Sequence, residues 1–315
     1  MKGIELSRAF FEQYGKPMLE QEFPDLLPLL AVGFVGSGSD RYGFDDEISR
    51  DHDFEAGFCI FLPEESIVSR RQAFLLERAY AKLPKSFGGV VRSPLSPVGG
   101  NRNGVFRTAE FYRAAVGLEN GRLTTEQWLQ LPDYVLAEAT NGEIFSDPFG
   151  EVTAIRKMLL QMPMDIKRKR LAGNILLMAQ SGQYNFDRCL KHGEPQAAQL
   201  AAVEFVEAAL KVVFLLQDRY LPYYKWQFRA LKALNDGEIL SKKLSFLLFG
   251  DNRDSSVAQQ KQDIIEQIAK TVIHDLTAKG YAEKQDDNLE RYAYAVNNGI
   301  ADGALRNLHI LSAIG

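Results

Sequence analysis

Between Gly36 and Asp53 the chain concentrates residues able to handle a phosphorylated ligand: Gly36-Ser37-Gly38-Ser39, then Asp45-Asp46-Glu47, then Asp51-His52-Asp53. Glycines let backbone N–H groups approach an anion, and serine adds a hydroxyl donor. The turn directly follows the apolar run at residues 29–35, a context in which such turns meet phosphate; taken alone, Gly/Ser turns are common. Residues i and i+2 of an extended strand share one face, so Asp51 and Asp53 converge on one spot. Two carboxylates there repel, and a hard, oxygen-seeking cation relieves the repulsion. An isolated Asp-x-Asp suits a solvated turn better. The combination differs, because phosphoryl or nucleotidyl transfer needs a held triphosphate, a divalent cation against it and an attacking group in line. His52 faces the other side of such a strand and reads as a packed or hydrogen-bonded histidine. Asp45, Asp46 and Glu47 suit a loop that caps a helix or binds its own backbone.

The elements that must position these residues follow from periodicity. Apolar positions at helical spacing predict a surface helix over residues 4–22, ended by Pro24 and Pro28. Residues 29–35 read as a buried strand, and residues 53–62 as a second strand paired with it. Pro63-Glu64-Glu65 has the chemistry of a helix start, with the helix running over residues 66–83. Residues 84–104 are rich in Gly, Pro, Ser and Asn and predict a long loop. A short strand over 104–108 leads into a helix over 109–116, Thr124 to Gln127 has the form of a capping box, and residues 143–147 form a last strand closed by Asp147-Pro148-Phe149-Gly150. From about residue 151 the chain reads as almost wholly helical, giving an α+β protein with an all-α C-terminal part.

The 315 residues suffice for two ordinary domains. No apolar run reaches the roughly 18–20 residues of a membrane span, and the start MKGIELSRAFFEQYGK lacks a signal-peptide core. Cys59 and Cys189 stand alone, which predicts a reduced, cytoplasmic protein. The net charge of −4 argues against extended nucleic-acid binding. Lys167-Arg168-Lys169-Arg170 is the exception and reads as a solvated helix face, with phosphate or RNA contact as the other option.

The spacing of Gly38-Ser39 and Asp51-x-Asp53 resembles the nucleotidyltransferase superfamily that includes DNA polymerase beta. It resembles still more closely the DUF4037 family, whose pattern reads approximately GSexxGfDDexSrDHd. That pattern is met by Gly38, Ser39, Gly43, Phe44, Asp45, Asp46, Glu47, Ser49, Arg50, Asp51, His52 and Asp53, with Asp40 in place of a glutamate. YNFDRCLKHGE at residues 184–194, VFLLQDRYLPYYKWQFRAL at 213–231 and ADGALRNLHIL at 301–311 look like the same family's helical region. In architecture the chain is similar to the aminoglycoside nucleotidyltransferases.

This resemblance implies a mixed-sheet catalytic domain over residues 1–150 and a helical substrate- or nucleotide-binding domain over 151–315. It implies that Asp51 and Asp53 bind magnesium (or manganese) bridging a nucleoside triphosphate, ATP first among them. Gly38 and Ser39 would hold the β- and γ-phosphates, with Ser37 beside them. A third carboxylate is implied without a clear position: Glu110 follows the short strand where it is expected, and Asp187 is a second candidate. Lys225, flanked by Tyr223, Tyr224 and Trp226, is either a phosphate ligand or a lysine snorkelling from an aromatic turn. Arg188 and Asn185 are further nucleotide-side candidates. The expected activity moves NMP, in the first instance AMP, to an unidentified acceptor, with a catalytically silent nucleotide-binding regulatory or toxin–antitoxin-type module as the alternative.

Overall fold

The computed structural model describes residues 1–50, 54–92, 101–118 and 122–314. The chain is α+β and forms two compact units, Met1–Leu123 with Val135–Gln161, and Thr124–Tyr134 with Met162–Gly315.

The first unit opens with α1 (Gly3–Phe10), a π-helical turn (Phe11–Gly15) and α2 (Lys16–Glu22). Their apolar face (Leu6, Phe10, Phe11, Met18, Leu19) is buried, as the helical spacing predicts. β1 (Ala31–Phe34) and β2 (Cys59–Leu62) are buried throughout, which explains their continuous apolar sequence. Then come α3 (Arg70–Lys82), a small hairpin of β3 (Ser86–Phe87) and β4 (Val90–Val91), β5 (Gly104–Arg107) and α4 (Thr108–Val116). α5 (Thr125–Gln130) falls in the second unit. α6 (Asp133–Thr140) leads back to β6 (Glu143–Ser146) and α7 (Glu151–Leu160).

The main sheet has the order β5-β2-β1-β6. β1 is antiparallel to β2 (Ala31 opposite Phe61, Gly33 opposite Cys59) and to β6, while β2 and β5 run parallel. The antiparallel pairing has a consequence for function. The turn leaving the C-terminal end of β1 and the residues entering the N-terminal end of β2 reach the same end of the sheet.

One loop and two boundaries differ from the sequence expectation: the stretch read as a long loop over residues 84–104 carries the β3–β4 hairpin, closed by Ser86 opposite Val91. β2 begins at Cys59, not near residue 53. Just before it, the backbone groups are diverted: the Gly57 carbonyl accepts from Ser7 Oγ at 2.6 Å, and the Phe58 N–H donates to the Tyr80 hydroxyl at 3.1 Å. A side chain on Gly57 would also collide with Asn103, 2.7 Å from its Cβ position. α3 starts at a Ser69–Gln72 capping box and not at Pro63-Glu64-Glu65, because reciprocal side-chain bonds satisfy the first-turn donors there. The capping box at Thr124 and Gln127 stands as read, as does the Asp147–Gly150 turn.

The second unit is helical: α5, α8 (Met164–Met178), a π-helical segment (Ala179–Phe186), α9 (Asp187–Lys191), α10 (Pro195–Leu216), α11 (Gln227–Leu231), α12 (Gly237–Phe249), α13 (Ser255–Ala278), α14 (Leu289–Asn298) and α15 (Gly303–Asn307). α8 and α10 run through its core with Leu171, Ile175, Phe205 and Leu210 fully buried or nearly so. Among the described residues no helix is long and apolar enough to cross a membrane.

The basic run on α8 is a correction to the sequence reading. Lys167, Lys169 and Arg170 are buried, not solvated. Arg170 pairs with Asp133 at 2.5 Å and donates to the Trp128 carbonyl, which ties α5 into the unit. Lys169 donates to Asn297 Oδ1 and to the carbonyls of Arg306 and Leu308, while Lys167 meets Asp218. The expectation failed because every acceptor is remote in sequence.

Candidate active site

The turn after β1 is held by a buried charged network. Asp40 and Arg41 form an ion pair at 2.6 Å and are 3% and 1% exposed. Arg41 lies over the Phe34 ring and donates to the Val35 carbonyl, the Arg102 carbonyl and Asn103 Oδ1. Arg102 joins from the segment before β5, donating to Asp40 Oδ1 at 2.8 Å and to the Ser37 carbonyl at 2.7 Å. Asn141, on the loop before β6, accepts from the Gly36 N–H at 2.9 Å and donates to the Gly36 carbonyl at 2.7 Å. Desolvation pulls the Arg41 guanidinium down from its usual value, and Asp40 opposes the shift. Burial likewise pushes the nearby Cys59 thiol up to about 11, so it is not a nucleophile at neutral pH.

These contacts pin the carbonyl side of the turn. Gly38 has φ +118, and a Cβ there would sit 2.4 Å from Asp40 Oδ1, so glycine is required for both conformation and space. Among the described residues, no acceptor serves the backbone N–H groups of Ser37, Gly38 and Ser39. Three consecutive backbone donors without an acceptor, on a braced turn, are available to an anion.

Gly36 and Ser37 also line a cleft of about 530 Å³ walled by β5, α4 and α6. Phe106 and Phe111 contribute aromatic rings, and Glu110 and Glu138 contribute carboxylates. Glu110 is exposed in the first turn of α4, past the C-terminal end of β5. Glu138 is half-buried on α6; desolvation raises its proton affinity, and the neighbouring charge of Arg102 lowers it.

Asp51, His52 and Asp53, the expected metal ligands and their neighbour, lie outside the described residues. Among the described residues no group of three His, Cys, Asp or Glu side chains is disposed to hold a metal. Asp45 is buried and accepts from the N–H of Gly3 at the start of α1, while Asp46 accepts from the N–H and hydroxyl of Ser49. Both do the backbone-binding work expected of that trio. In the second unit, Lys225 is exposed in a short 3-10 turn beside the Tyr223–Tyr224 pair. Arg188 is exposed and lies over the Tyr184 ring, Asp187 pairs with Lys191, and Asn185 is exposed.

Sequence reasoning brought Gly36 to Ser39 and Glu110 into view and missed Arg41, Arg102, Asn141 and Glu138. Asn141-Gly142 carries a turn signal. Nothing local marks the other three.

Residues 128–227 match the family described as domain of unknown function DUF4037. The DUF4037 match takes in Glu138, Asn141 and the segment at 184–194, while the pattern from Gly38 to Asp53 precedes it. No curated protein and no solved structure matches the chain.

Proposed function

We propose that the chain is a metal-dependent nucleotidyltransferase that moves the monophosphate of a nucleoside triphosphate, ATP first among them, to an acceptor that is a small molecule or a protein. The observation carrying this reading is the turn at Ser37–Ser39, at the sheet end that residues 54–58 approach, whose three N–H groups have no acceptor among the described residues and whose Ser37 lines a cleft. In sequence, Asp51 and Asp53 lie immediately ahead of that approach. As carboxylate oxygen donors they suit magnesium or manganese and would hold it. The ion would supply neutralisation of the triphosphate charge. The turn binds the β- and γ-phosphates through Ser37, Gly38 and Ser39. An acceptor oxygen attacks the α-phosphorus, the bond from that phosphorus to the β-phosphate bridge breaks, and pyrophosphate leaves. A cytoplasmic setting agrees with two unpaired cysteines, Cys59 and Cys189.

The test is pyrophosphate release from ATP, GTP, CTP and UTP with magnesium across a panel of hydroxyl and phosphate acceptors. Asp51→Asn and Asp53→Asn are expected to abolish release and leave far-UV circular dichroism unchanged. Wild-type turnover in either variant rules out the metal assignment. Tight ATP binding without release on any acceptor turns the conclusion to a silent binding module.

A further inference from the structure

We propose that the cleft beside Gly36 and Ser37 seats the base of the nucleoside triphosphate, and that Glu138 reads the base's amino group, accepting adenine and cytosine and rejecting guanine and uracil. The proposal rests on the nucleotidyl-transfer reading, and deepens it.

Continuity is the first reason. Gly36 and Ser37 belong to both the turn and the cleft wall, so a nucleotide with its phosphates on the turn has its base directed along the cleft. The volume of about 530 Å³ falls within the range of ligand pockets. Apolar lining comes from Ala115, Val135 and Ala139, and Phe106 and Phe111 meet edge-on at 5.8 Å, which suits a planar ring.

Charge is the second reason. Among the described residues, the ionisable ones lining the cleft are Glu110, Glu138 and Arg107, and the Arg107 guanidinium donates to the Pro63 carbonyl at 2.7 Å. Two carboxylates against one engaged cation disfavour a second phosphorylated group and favour N–H donors. An ionised carboxylate only accepts hydrogen bonds. Adenine and cytosine present an exocyclic amino donor at one edge position, where guanine and uracil present a carbonyl oxygen. Two acceptors then face each other without a proton, and a desolvated group left unpaired costs more than an exposed one. Burial selects Glu138, half-buried on α6, over Glu110, which water reaches freely. Arg102 and Tyr42 lie close enough to interact electrostatically with Glu138, from the loop before β5 and from the turn after β1.

Titration calorimetry of the full chain with ATP, GTP, CTP, UTP and inorganic tripolyphosphate, each with magnesium, tests this. ATP and CTP are expected to bind at least about tenfold tighter than GTP and UTP, since sites built for a hydrogen bond reject its absence. Glu138→Gln offers an amide that both donates and accepts, and it should reduce the ratio to within about threefold while leaving tripolyphosphate affinity unchanged. Glu77→Gln on the exposed face of α3 should keep the wild-type ratio. If Glu138→Gln does not fold, Glu138→Asp retracts the same charge by one methylene and is expected to narrow the ratio as well. UTP binding as well as ATP in the wild type, or an unchanged ratio in the Glu138 variant, overturns the role of Glu138 and leaves the transfer reading standing. Absence of binding by every nucleotide and by tripolyphosphate overturns the transfer reading and this inference with it.

Discussion

Arg41 has almost no solvent contact, and its guanidinium is answered by Asp40, two carbonyls and Asn103. Removing one partner of a buried pair strands the other charge, which typically costs about 3–5 kcal/mol. Asp40 would retain Arg102, so Arg41→Ala is expected near the lower end, about 3 kcal/mol by urea denaturation. The same variant should weaken tripolyphosphate binding, because the turn loses its floor. A loss below about 0.5 kcal/mol, the scale of ordinary surface changes, rules out the bracing role.

Lys261 poses a related problem at the level of elements. It lies on α13, fully buried, and donates at 2.7 Å to Gln199 on α10 and at 2.7 Å to Asn252 in the connection from α12. Three pieces of helical structure thus share one ammonium group with neutral acceptors. Desolvation lowers its pKa to about 8 from 10.5, with Asp251 opposing the shift. Between those values the folded chain has lost the proton and the unfolded chain still holds it. Unfolding free energy contributed by this group therefore rises with pH from about 8 to about 10.5. Denaturation of wild type and Lys261→Met at about pH 7.5, 9 and 10.5 should show the wild type gaining stability relative to the variant as pH rises. A difference independent of pH excludes the shifted lysine.

At the scale of the molecule, the two units interleave in sequence, since residues 124–134 join the helical unit although residues 135–161 do not. Arg170 draws its partners from that early segment: Asp133 and the carbonyls of Trp128 and Leu131. A fragment of residues 162–315 is expected to lack a cooperative thermal transition. Linking residues 124–134 to its N-terminus should restore one. Cooperative unfolding of the shorter fragment contradicts this account. The four strands of the main sheet, the helical character after residue 151, the capping box at Thr124 and the Gly36–Ser39 turn were legible in the sequence. Each depends on periodicity, capping or glycine chemistry acting over a few residues. The start of β2, the burial of Lys169 and Arg170, and the network beneath the turn were not legible. They depend on partners far along the chain: Asn141 is 105 residues from Gly36, and Leu308 is 139 from Lys169. A sequence window reports a lysine's charge, but only the packed chain decides whether carbonyls or water surround it.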